Sequence, residues 1–123
     1  FARDNLGIPV MGFDLAGAEK GYPAEDHKAA FDLAHKYFFR KTVHAGEAFG
    51  PESIFQAITD CHSDRIGHGT HIFDANMVNL STKREREKYV RSLLKYIADG
   101  RTTIEVCLTS NLQTMPALKN ILN

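Results

Sequence analysis

An α/β fold, in the form of part of an eight-stranded β/α barrel, is what this sequence predicts, and three observations predict it. Short apolar extended runs alternate strictly with stretches of helical periodicity, the pattern of right-handed crossovers between parallel strands. Polar, chemically useful residues recur where extended runs stop: Asp14 to Gly17, His44 to Glu47, His68 and Gly69, and Thr109 to Asn111. A parallel barrel builds its active site from the carboxyl ends of its strands, so this recurrence reads as a site. The third observation is length. The 123 residues suffice for one domain with a core but fall well short of the roughly 250 of a complete barrel, so half a barrel fits and a small doubly wound sheet is the rival.

Taken in order, Ile8 to Phe13 is a short apolar run that includes Pro9 and Gly12, read as a buried strand closing in Asp14-Leu15-Ala16-Gly17. Pro23 opens a helix with Glu25 and Asp26 in its first turn, where the positive end of the helix dipole favours them. Ala30, Leu33, Ala34, Tyr37 and Phe38 give that helix a core face. Thr42 and Val43 form a second strand ending in His44-Ala45-Gly46-Glu47. Pro51 then starts a helix whose apolar series is Ile54, Ala57, Ile58 and Cys61. Arg65-Ile66-Gly67 leads into His68-Gly69. Thr82 with Glu85 three residues on makes a capping box for a helix with the stripe Val90, Leu93, Leu94 and Ile97 and its stop at Gly100. Thr102 to Leu108, rich in β-branched residues, predicts a fourth strand running into Thr109-Ser110-Asn111, and Pro116 to Leu122 a last short helix.

Composition excludes several classes of function. Fifteen basic residues balance fifteen acidic ones, and no apolar run approaches the roughly 18 residues of a membrane span, so neither nucleic acid nor a membrane is an expected partner. The most basic stretch, Lys83 to Arg91, interleaves its cations with Glu85 and Glu87 and reads as a solvated helix face. Cys61 and Cys107 stand far apart with no Cys-x-x-Cys pair, which points to a reduced, cytoplasmic setting. A chain opening on Phe1 is read as continuing upstream.

The chemistry concentrates in Thr42 to Glu47. His44 at a strand end can offer a ring nitrogen to a metal, while Gly46 lets the chain turn so that Glu47 lies beside the same cavity as a proton carrier. His-x-x-Glu alone is a weak pattern. His68, between Gly67 and Gly69 at the next strand end, would reach the same cavity, and His71 suits a structural role. Gly17, lacking a side chain, could present its backbone amide to a ligand.

Together these residues resemble the adenosine deaminase family. Thr-Val-His-Ala-Gly-Glu at 42–47 and Arg-Ile-Gly-His-Gly at 65–69 match its signature, Asp14 to Gly17 with Glu19 is similar to its preceding strand-end motif, and Ile104 to Asn111 to its following one. The resemblance implies a partial TIM barrel, about strands four to seven, from a zinc-dependent enzyme that converts adenosine to inosine and ammonia. It implies that His44 ligates Zn2+, that Glu47 delivers a proton to the purine ring, that His68 orients and helps deprotonate the attacking water, and that Gly17 donates its amide to a ring nitrogen. The family's His-x-His and Asp-Asp pairs, which complete the zinc and substrate site, do not occur in these residues, and His27, His35 and His62 are not placed to replace them. The 123-residue chain alone is therefore expected to be inactive. Alternatives are a deaminase of adenine or another 6-aminopurine, a different metal hydrolase on the same barrel, and a non-catalytic deaminase-like module.

Overall fold

The computed structural model describes Gly7 and residues 9–114. Four strands, β1 (Gly12–Leu15), β2 (Arg40–Ala45), β3 (Arg65–His68) and β4 (Thr103–Glu105), form one sheet in sequential order. All neighbouring pairs are parallel, with Leu15 opposite Val43, His44 opposite Gly67, and Gly67 opposite Glu105. Four α-helices alternate with them: α1 (Lys28–Lys36), α2 (Pro51–Thr59), α3 (Lys83–Gly100) and α4 (Leu108–Thr114). This is the predicted α/β alternation. Sequential parallel order is also the order in which a β/α barrel adds its strands.

The core lies between the sheet and the helices. Val43 and Ile66 from the central strands are fully buried against Phe31 of α1, Ile54 and Ala57 of α2, and Cys61, with Leu93 and Ile97 of α3 closing the layer. Each such aliphatic or aromatic side chain contributes about 1.5–3 kcal/mol relative to leaving it exposed. Burial also pushes the Cys61 thiol up to about 11, which keeps it an inert packing group. Both cysteines are free thiols. Lys41 is an exception within this layer: its ammonium, 3% exposed, is held by Asp64 Oδ2 at 3.3 Å and the Phe39 carbonyl at 2.8 Å. Burial works to raise the Asp64 carboxyl, but hydrogen bonds from Arg40 and Lys41 outweigh it and hold the group below the usual carboxylate range.

The elements differ from expectation in five places. The helix expected to open at Pro23 begins as a 3-10 turn, Ala24–His27, which holds Glu25 and Asp26, and α1 itself starts at Lys28. Pro9 has no N–H to give a ladder, and pairing begins only at Gly12, so β1 runs through Asp14 to Leu15 and is exposed rather than buried. In α1 the buried face is Phe31 and Ala34, while Leu33 and Tyr37 stand half exposed and Phe38 is 94% exposed. Leu33 sits about 200° around the helix from Phe31, so a face anchored on the aromatic ring leaves it outside. Strand β4 stops at Glu105 instead of Leu108, because its neighbour β3 leaves the sheet at His68, whose φ of 71° ends the ladder. Val106 is left exposed, and the Thr109-Ser110-Asn111 segment falls inside α4, with the Asn111 N–H donating to the Cys107 carbonyl at 2.8 Å. The stop of α3 falls one residue late: Gly100 stays helical and Arg101 takes the left-handed conformation. The expected helix at 116–122 lies outside the described residues.

The capping box is present as read. Thr82 Oγ1 accepts from the Glu85 N–H at 3.2 Å, and the Glu85 carboxylate accepts from the Thr82 N–H at 3.0 Å. Thr82→Ala is expected to cost about 1 kcal/mol of stability, read as a lower denaturant midpoint with an unchanged slope.

Candidate active site

Because the strands are parallel, the residues following Leu15, Ala45, His68 and Glu105 gather at one edge of the sheet. His44, the penultimate residue of β2, lies directly opposite Gly67 in the register. A methyl group placed on Gly67 would sit 2.6 Å from the His44 Cδ2 atom, so the imidazole occupies the room that the missing side chain leaves. Gly67 is thus needed for the neighbouring histidine rather than for the one beside it in sequence.

His68 pairs with Ala45, and strict alternation would turn its ring to the face opposite that of His44. Instead its backbone enters the left-handed region, which a non-glycine residue adopts at a cost of order 1–3 kcal/mol. The two rings meet edge to face, 4.8 Å between centroids and 79° between planes. His68 is buried, and its Nδ1 lies 2.6 Å from Asn111 Oδ1 and 3.7 Å from Glu47 Oε1. Both oxygens can accept, an arrangement that suits a proton on Nδ1. The Glu47 side chain is 15% exposed, and the Thr114 hydroxyl donates to its Oε1 at 3.0 Å.

Gly46 bends the chain between these groups with φ of 75°, and a Cβ there would strike the Ile54 side chain at 2.6 Å. Glu19 is buried beneath this turn. Its Oε1 accepts from the Gly46 N–H at 2.9 Å, and its Oε2 from the N–H groups of Glu47 at 2.9 Å, Ala48 at 2.6 Å and Phe49 at 3.4 Å. Gly17 follows β1 with φ of 131°, a conformation that favours glycine. A cavity of about 270 Å³ is lined by Gly17, Glu19, Tyr22, His27 and His44 among others.

His71 takes no part in this cluster; its Nδ1 lies 3.8 Å from Asp74. His35 and His62 stack on each other, 4.3 Å between centroids, with His62 hydrogen-bonded to Asp32. His27, expected only to ride on the first helix, borders the same cavity as His44. Sequence reasoning placed Glu19 and Asn111 in strand-end motifs without assigning either a partner, and did not single out Thr114. Their partners lie 27 to 30, 43 and 67 positions away, and no local pattern signals such pairings. Among the described residues no group of three or more His, Cys, Asp or Glu side chains is placed to hold a metal. The donor set therefore fits zinc in kind, through the His44 imidazole, but supplies one ligand where catalytic zinc ordinarily has three.

Imidazoles, a carboxyl group and the Gly17 turn gathered at the carboxyl end of a parallel sheet occupy the place where α/β proteins of this architecture build their small-molecule sites. The profile of the adenosine deaminase family matches residues 3–121, and the chain belongs to that family. It is 43% identical over 107 residues to "Adenosine deaminase 1" of Streptomyces coelicolor, covering 87% of this chain and 26% of that protein. It is 44% identical over 105 residues to "Adenosine deaminase" of Mycobacterium ulcerans, covering 85% and 28% respectively. In structure it is similar to adenine deaminase from Arthrobacter aurescens, with a TM-score of 0.69 and 22% identity, over 93% of this chain and 30% of that one. The chain thus spans under a third of the length of these relatives. No described helix is long and apolar enough to cross a membrane.

Proposed function

We propose that this chain forms the central strands, about four to seven, of a zinc-dependent deaminase barrel, and that the parent enzyme hydrolyses adenosine to inosine and ammonia in cytoplasmic purine salvage. The observation that carries this reading is the convergence of His44, His68 and Glu47, the two rings 4.8 Å apart and the carboxyl 3.7 Å from His68, with Gly17 and His44 on one cavity. His44 would be one zinc ligand, the others coming from outside the described residues. Bound zinc would supply Lewis acidity, lowering the pKa of water to about 7.

The remaining work falls to this chain's own side chains. Glu47 carries a proton to the ring nitrogen beside the reacting carbon, which makes that carbon a better electrophile. His68, with its proton fixed on Nδ1 by Asn111 and Glu47, orients the attacking water and accepts its proton at Nε2. Gly17 offers its amide to another ring nitrogen, and the absence of a side chain lets the purine lie against the backbone.

Metal analysis of the purified parent enzyme, followed by an absorbance assay of adenosine conversion, tests the reading. Stoichiometric zinc and inosine formation are expected. Conversion of adenine but not adenosine would replace the nucleoside with the free base, and zinc-loaded protein that turns over neither would end the proposal. The isolated 123-residue chain, among whose described residues no group of three metal ligands is gathered, is expected to release no ammonia from adenosine.

A further inference from the structure

We propose that Glu19 is a positioning residue for Glu47, a buried anion around which the proton carrier's turn is wrapped; this rests on the role given to Glu47 above. Four successive backbone N–H groups, from Gly46 to Phe49, point at its two carboxylate oxygens at 2.6 to 3.4 Å. Consecutive amides turned inward in this way form an anion-binding nest. Here the anion is covalently part of the protein, and its charge is met by peptide dipoles. Among the described residues no other side chain is hydrogen-bonded to the Glu47, Ala48 or Phe49 N–H groups, and the Gly46 N–H is shared with Ser53 Oγ at 3.1 Å.

The arrangement has a geometric consequence. Glu19 stands two residues after Gly17, and both line the cavity with His44. The carboxylate therefore ties the segment offered to the purine to the segment that carries the proton, across 28 positions of sequence. A Glu47 amide fixed at 2.9 Å sets where that residue's own carboxyl begins, and displacement of a catalytic group by about 1 Å costs up to about 10²-fold in rate.

The variants Glu19→Gln, Glu47→Gln and their combination, made in the zinc-loaded parent enzyme, test this as a double-mutant cycle in kcat. Glu19→Gln places an NH2 group, which can only donate, against donors, and is expected to lower kcat about 30- to 100-fold with KM changed less than about threefold and zinc content unchanged. In the Glu47→Gln background the same change is expected to lower kcat less than about threefold, because its target is already disabled. Glu19→Asp keeps the charge on a side chain one methylene shorter and is expected to recover about tenfold of the loss, remaining about 3- to 10-fold below wild type. A loss from Glu19→Gln that multiplies fully in the Glu47→Gln background would overturn the proposal, as would a variant with lowered Tm but wild-type kcat. Should Glu19→Gln fail to fold, Glu19→Asp carries the test alone: kcat equal to wild type overturns the positioning role, and a deficit that vanishes in the Glu47→Gln background supports it. Unchanged turnover in Glu47→Gln itself would instead remove the catalytic assignment, and this proposal with it.

Discussion

Glu47→Gln in the parent enzyme is expected to lower kcat by about 10²- to 10⁴-fold, the span that a positioned proton donor contributes. The amide is nearly isosteric with the carboxyl and can still accept from Thr114, whose hydroxyl lies 3.0 Å from Glu47 Oε1, so the fold and the cavity should be kept. What the amide lacks is an acidic proton. Binding should therefore change little, and the loss should appear in kcat rather than KM, as befits an interaction realised only in the transition state. The zinc content should equal that of the wild type, because the residue is placed as a proton carrier and not as a ligand. Turnover within about threefold of the wild type would show that the proton travels by another route.

The second large effect is expected from Gly67→Ala, a single methyl group added to the middle of β3. Gly67 is not in the left-handed region, so alanine meets no backbone penalty, and the change is purely one of space. The new carbon would lie 2.6 Å from His44 Cδ2 and 3.2 Å from its Nε2, distances that force the ring to turn. With His44 ligating zinc as proposed, the rotation should lower zinc affinity by about 10- to 100-fold, measured by competition with a chelator, and activity should return in part when zinc is added in excess. Thr82→Ala is the control, since its cap is closed within residues 82–85 and makes no hydrogen bond to His44, so zinc affinity should stay as it is. An unchanged zinc affinity in Gly67→Ala would mean that the His44 ring does not need the space that glycine leaves.

Most of the framework was legible because it depends on local rules. The second helix was visible in Pro51 and in the spacing of Ile54, Ala57 and Cys61, all fully buried in the structure. The capping box was visible in Thr82 and Glu85, because a cap is satisfied within three residues of itself. The misplaced features share a different origin. Val106 to Leu108 favour a strand by type, but β3 turns out of the sheet at His68 and offers them no partner. Leu33 and Tyr37 belong to the apolar series of α1, yet Phe31 determines which side of the helix meets the sheet.

The site divides along the same line. His44, Glu47, His68 and Gly17 could be picked out as chemical groups at the ends of extended runs, and the family motifs supported them. Neither source could tell that Gly67 is empty for the sake of His44, that Asn111 meets the His68 ring, or that Glu19 gathers the amides below Glu47. Taken by itself, the sequence determined the alternation of strands and helices, the parallel sheet and the chemical groups available, because periodicity, capping and turn chemistry act over a few neighbouring residues. Only the tertiary structure decided which groups meet, since register, the left-handed backbone at His68 and a buried carboxylate join residues dozens of positions apart.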